Sequence, residues 1–133
     1  MKPDRFATAI NCIDGRAQVP VIEWLQLNHD VQYVDMITEP GANKILADAD
    51  SNAIAPIKAK VKFTIDARGS TVIAVVGHHN CLANPVTKEQ HRAHINQAVE
   101  LVESWDFPAR VVGLYVNERG AIEVIDDTEE RVA

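Results

Sequence analysis

Residues 71–81 read Thr-Val-Ile-Ala-Val-Val-Gly-His-His-Asn-Cys. The first six form an unbroken apolar run rich in β-branched side chains. Such a run fits a strand buried on both faces, which requires helices above and below it. Outward from it, Phe6–Cys12 (FATAINC) reads as another short buried strand, and residues 31–37 (VQYVDMI) as a third that Glu39-Pro40-Gly41 breaks. Residues 19–28 read as a helix with Pro20 near its first turn and Val21, Ile22 and Leu25 on one face. A short helical piece is expected over 44–49. Ser51 is expected to cap a longer helix carrying Ile54, Ile57, Val61 and Ile65 on one face, with Gly69 as its stop. The alternating Lys58, Lys60 and Lys62 read as a solvated surface.

A long helix is expected over 85–105, started by Asn84-Pro85, with Thr87 and Gln90 able to form a capping box. Residues 111–116 and 121–125, around a turn at 117–120, predict an antiparallel hairpin. Residues 126–130 read as a frayed acidic tail. The resulting fold class is α/β: one domain over 1–133, with about four parallel strands, one antiparallel C-terminal edge strand and helices on both faces.

Composition narrows the function classes. Of 133 residues, 47% are apolar, enough for a packed core. Lys and Arg number 13 against 19 Asp and Glu, a net charge of −6 without a basic cluster, which argues against nucleic-acid partners. No apolar run reaches the roughly 18 residues of a membrane span, and the start at Met1 lacks the apolar stretch of an export signal. Two cysteines without an export signal suggest a reducing cytoplasm, with thiols that are buried, reactive or metal-bound rather than bridged.

In open sheets of this kind the chemistry gathers at the C-terminal ends of strands, where the strand order reverses. Cys12-Ile13-Asp14-Gly15-Arg16 leaves the first strand there, and Gly77-His78-His79-Asn80-Cys81 leaves the central one. Two thiolates and an imidazole suit Zn²⁺, so Cys12, His78 and Cys81 could fill three tetrahedral positions, with Asp14 or water in the fourth. A redox pair is the alternative, although Cys12 and Cys81 lack C-x-x-C spacing. His79 could shuttle protons. His91 and His94 fall on the long helix, where His91 shares the face of Ile95 and reads as a satisfied packing residue. His29 is expected to close a helix as a favourable cation.

Cys12-x-Asp14-x-Arg16 with His78-x-x-Cys81, Gly77 before the histidine and a closing hairpin, resembles the β-class carbonic anhydrases. More loosely, Glu39-Pro40-Gly41-Ala42-Asn43 stands where the family has R-N-x-x-N. The resemblance implies zinc held by Cys12, His78 and Cys81, with Asp14 and Arg16 as a dyad beside it. It implies reversible hydration of carbon dioxide to bicarbonate by zinc-bound hydroxide that Asp14 orients, and a homodimer or larger homo-oligomer. In the family the Asp either takes the fourth position or turns to the Arg and leaves it to water.

Three departures stand out. Leu82 replaces the family's glycine after the second cysteine and is expected to narrow or reshape the pocket. Glu39 stands in place of an arginine, and the usual N-terminal helical arm is not seen. Tyr33 and Phe63 are the candidates for pocket aromatics. The competing functions are a carbonyl sulfide or carbon disulfide hydrolase on the same scaffold, and a non-catalytic zinc protein that senses bicarbonate or joins a partner.

Overall fold

The central strand is Val72–His78 (β3), and every residue in it is buried. In the computed structural model, which describes residues 4–130, it lies in a five-stranded sheet with Phe6–Cys12 (β1), Tyr33–Glu39 (β2), Arg110–Val116 (β4) and Ile122–Asp127 (β5). The spatial order is β2-β1-β3-β4-β5. The first four strands run parallel and β5 returns antiparallel to β4, as the hairpin pattern required. Met1–Pro3, where an export signal was sought, lie outside the described residues. No helix among the described residues is long and apolar enough to cross a membrane.

The helices are Gln18–His29 (α1), Ala42–Ala47 (α2), Ile54–Arg68 (α3) and Lys88–Ser104 (α4). One sheet face packs Ile10, Ile73 and Val75 against Leu46, Val61 and Ile95 of α2, α3 and α4. The other packs Ala7, Ala9, Ala74 and Val76 against Val21 and Leu25 of α1. Helices therefore cover both faces, and both faces of β3 avoid water. Close packing is tightest at Gly113 in β4, where an added Cβ would lie 2.6 Å from Ile95 Cγ2 and 3.0 Å from Val99 Cγ2. These branch methyls cannot swing aside freely. Gly113→Ala is expected to cost about 1–3 kcal/mol, read as a lowered urea midpoint.

Boundaries moved where partners or prolines decide them. Strand β2 starts at Tyr33 and ends at Glu39 because it pairs residue for residue with β1, from Phe6↔Tyr33 to Cys12↔Glu39. Ser51 does not cap α3; its Oγ accepts from the Ala53 N–H at 3.2 Å, and Ala53 is the cap. Pro56, which lacks an N–H, must sit in the first turn, and a start at Ser51 would have pushed it into the helix interior. Gly69 ends α3 in the left-handed region, at φ 65°. Asn84-Pro85 precedes α4 rather than starting it, since the Thr87–Gln90 capping box forms and fixes the first turn at Lys88.

The acidic tail is not frayed at its start. Asp127 is the last residue of β5, buried, and accepts hydrogen bonds from Arg110 Nε at 2.8 Å and from Nη2. His29 does close α1, but burial lowers its pKa, so it is a weaker helix-end cation than expected. Its ring packs 5.2 Å from that of Trp24.

Candidate metal centre

The chain passes from β1 outward to β2 and then back over β1 to β3, so the strand order reverses between β1 and β3. Their C-terminal ends flank that switch point, where an open sheet leaves a crevice. Cys12 is the last residue of β1 and His78 the last of β3. Cys81 follows on a loop that turns back through Asn80 at φ 56°.

These three side chains are buried, and their ligating atoms all lie within 4.8 Å of one another. The two sulfurs are 3.8 Å apart and the cysteines are free. A tetrahedral zinc with Zn–S bonds of about 2.3 Å places its sulfurs about 3.8 Å from each other, so the spacing fits. The His78 Nδ1–H donates to the His79 carbonyl at 2.9 Å, and a carbonyl can only accept. In the neutral ring this leaves the lone pair on Nε2, which is buried without a hydrogen-bond partner. A buried unpaired acceptor is costly, and a cation between it and the sulfurs would satisfy it. Burial and the neighbouring Cys12 push the Cys81 thiol pKa up, a strain that a divalent cation would relieve.

Asp14 begins a 3-10 turn over Gly15–Ala17. Its carboxylate faces Arg16: Oδ1 accepts from the Arg16 backbone N–H at 2.9 Å and from Nε at 3.1 Å, and Oδ2 accepts from Nη2 at 2.6 Å. The Arg16 hydrogen bonds hold the Asp14 carboxyl well below the usual carboxylate range, so it is ionised throughout neutral pH. Arg16 Nη2 also donates to the Asn80 carbonyl at 3.2 Å, which ties the dyad to the loop carrying Cys81. Asp14 Oδ2 lies 3.9 Å from His78 Nε2. Gln18 Nε2 donates to the Cys12 carbonyl at 2.6 Å and pins the end of β1.

Two openings adjoin the cluster. One of about 250 Å³ is lined by Arg16, His78, His79, Asn117, Glu118 and Gly120. The other, about 470 Å³, reaches Cys81, Leu82, Val86 and Tyr115. Leu82 is 89% exposed, so it is not packed against the backbone, and it stands at the lining of this second opening. His79 is exposed and donates its backbone N–H to the Val116 carbonyl at 2.8 Å. Tyr33 and Phe63 do not line the cluster. Tyr33 opens β2 at the end opposite Cys12, and Phe63 is exposed on α3 beside an open cavity of about 590 Å³.

His91 is buried, and its Nδ1 is 3.2 Å from Asn43 Nδ2, whereas Nε2 has no partner. It is a packing residue as expected, but only half satisfied. Asn43, Asn84 and Gly41 surround the cluster from behind and were not singled out by sequence. The available signal was the position of Gly41 and Asn43 in the loop aligned with R-N-x-x-N, and Asn84 three residues after Cys81.

A family model described as putative carbonic anhydrase matches residues 2–126. Among solved structures, a tetrameric β-carbonic anhydrase from the filamentous ascomycete Sordaria macrospora superposes with a TM-score of 0.58 at 12% identity. That match covers 91% of this chain and 80% of the other. The β-carbonic anhydrase CcaA gives a TM-score of 0.58 at 11% identity, covering 93% and 81%. A variant of CafD, a β-carbonic anhydrase of Aspergillus fumigatus, gives 0.51 at 13%, covering 92% and 90%. No curated protein sequence matches the chain. At such identities the superpositions speak for the fold, and the family match over nearly the whole length speaks for descent. With the sheet order, the switch-point cysteines and the family model in agreement, the chain belongs to the carbonic anhydrases of the β class.

Proposed function

We propose that this chain catalyses the reversible hydration of carbon dioxide to bicarbonate, with zinc held by Cys12, His78 and Cys81. The observation that carries the proposal is the convergence of two sulfurs and an unpartnered imidazole nitrogen within 4.8 Å, with an ionised carboxylate beside them. Zinc in this place supplies Lewis acidity, which makes water a competent nucleophile near neutral pH. Asp14 Oδ2, 3.9 Å from His78 Nε2, would be placed to accept a hydrogen bond from the reacting water and orient it. Arg16 keeps Asp14 in that pose through a bidentate, charge-assisted pair. Both Asp14 oxygens are engaged by Arg16, which supports Asp14 as a dyad residue beside the metal rather than a ligand to it. One domain carries this site, and a thiolate site of this kind calls for a reducing compartment such as the cytoplasm.

The tetrameric Sordaria relatives support a homodimer or larger homo-oligomer here. Ile13 and Leu82, 63% and 89% exposed at the rim of the site, offer apolar surface for such an assembly to cover. The carbonyl sulfide and carbon disulfide alternative rests on a pocket reshaped near Leu82, and Leu82 lines the opening beside Cys81.

Stopped-flow hydration of carbon dioxide, with zinc measured on the same sample, tests the proposal. One zinc per chain and acceleration between about pH 7 and 9 is the expected result. One zinc per chain without acceleration would overturn catalysis and favour the zinc-binding, bicarbonate-sensing alternative.

A further inference from the structure

The two sulfurs of the cluster are approached by backbone N–H groups from two different loops. Gly41 N–H points at Cys12 Sγ from 3.5 Å. On the other loop the backbone N–H groups of Ala83 and Asn84 lower the Cys81 thiol pKa against the rise from burial. The loops touch: a Cβ on Gly41 would lie 3.2 Å from both Cβ and O of Ala83, and Gly41 holds a left-handed φ of 63°. Behind them sit two buried amides, Asn43 at 2% and Asn84 at 0% exposure. Asn84 Nδ2 donates to Asn43 Oδ1 at 3.5 Å and to His94 Nδ1 at 3.0 Å, while Asn43 Nδ2 donates to His91 Nδ1 at 3.2 Å. The amide of Asn43 occupies space that a side chain on Gly77 would need, 2.7 Å from its ideal Cβ, and Gly77 directly precedes His78.

Each cluster residue is therefore linked to the Asn43–Asn84 pair, Cys12 through the loop that donates to it and Cys81 and His78 through their own segments. The Cys12 donor loop runs into Asn43, the Cys81 donor loop ends in Asn84, and the His78 strand is notched to admit the Asn43 amide. We propose that Asn43 and Asn84 are positioning residues for the metal, which lock the two loops together so that the Gly41 N–H stays aimed at the Cys12 sulfur and the 81–84 loop holds Cys81 in place. The inference rests on the metal assignment above. N–H donation draws charge from a thiolate and fixes where its lone pair points. Groups that hold ligands in this way commonly change metal affinity 10–100-fold when removed. A pair that merely filled the core would alter folding stability and leave the metal's surroundings unchanged.

The test compares wild type, Asn84→Leu, Asn84→Asp and Thr64→Val, full-length in each case. Thr64 is buried and hydrogen-bonded to Thr8 at 2.7 Å, away from the cluster, so its variant reports loss of stability alone. Asn84→Asp keeps the size but sets an acceptor against Asn43 Oδ1 and His94 Nδ1. Zinc affinity is read by competition with a chromophoric chelator, and thiolate donation by the sulfur-to-cobalt charge-transfer band of Co²⁺-loaded protein. Both Asn84 variants are expected to bind zinc about 10–100-fold more weakly with a shifted cobalt band, while Thr64→Val matches wild type in both. If Asn84→Leu does not fold, Asn84→Asp decides. Wild-type affinity and an unshifted band in Asn84→Asp overturn the positioning role. Wild type that binds no zinc overturns the metal assignment as well, so the two failures are distinguishable.

Discussion

Cys81→Ser protein is expected to purify without stoichiometric zinc and to hydrate carbon dioxide no faster than buffer. The substitution changes little in volume, so the loop should still close. What it removes is a thiolate: a serine hydroxyl does not ionise near neutral pH and is a poor partner for a borderline-soft cation. Two donors, Cys12 and His78, would remain where three converge. Loss of a direct ligand should exceed the 10–100-fold typical of outer groups, so affinity should fall on the order of a thousandfold or more. Because metal binding to the fold is also folding free energy, the variant should melt at the temperature of chelator-stripped wild type. Atomic absorption on the purified protein and a melting curve with and without chelator check both parts. Unchanged zinc content in Cys81→Ser would show that the metal sits elsewhere.

That variant probes a centre whose outline was legible in the chain, and the reason is local. The run 72–76 has one stable environment, between two helix layers, and its exit at His78 follows from its length. The α4 start was legible for the same reason, since Thr87 and Gln90 satisfy each other three residues apart. Legibility ended where a partner comes from far along the chain. Asp127 reads as part of a loose acidic tail until Arg110, 17 residues back, is placed beside it. The exposure of Leu82 at the mouth of an opening beside Cys81 is likewise invisible until the loop is folded. Asn43 and Asn84 are 41 residues apart, and nothing in either local pattern says that their amides meet. Polar residues in loops carry little periodicity, so the groups behind the cluster were hidden while the candidate ligands were visible.

His91 carries the last consequence, and its sign is fixed by geometry. The ring is 1% exposed, packed 5.7 Å from Tyr115, and its Nδ1 accepts from the Asn43 amide. Burial pushes its pKa down to about 4, helped by the neighbouring His78, His94 and His79. In the unfolded chain the same imidazole takes up its proton near pH 6.5. Above that value His91 is neutral in both states and its burial carries no protonation penalty. As pH falls through 6.5 toward 4, the unfolded chain binds a proton that the fold refuses, so stability drops across that window and levels off below it. A shift of this size corresponds to about 3 kcal/mol lost between the two limits. Charging the ring would also turn Nδ1 from an acceptor into a donor facing the Asn43 N–H, breaking the contact that orients that amide. His91→Gln offers an acceptor that does not titrate, so its urea stability should fall less steeply between pH 6.5 and 4 than that of wild type. Carboxylates remote from the ring contribute alike to both proteins and cancel in the difference, and the neighbouring His78, His79 and His94, which feel the His91 charge, belong to the same effect. Equal slopes in the two proteins would mean that His91 is protonated as readily in the fold as outside it, and that the amide behind the metal cluster is held by something else.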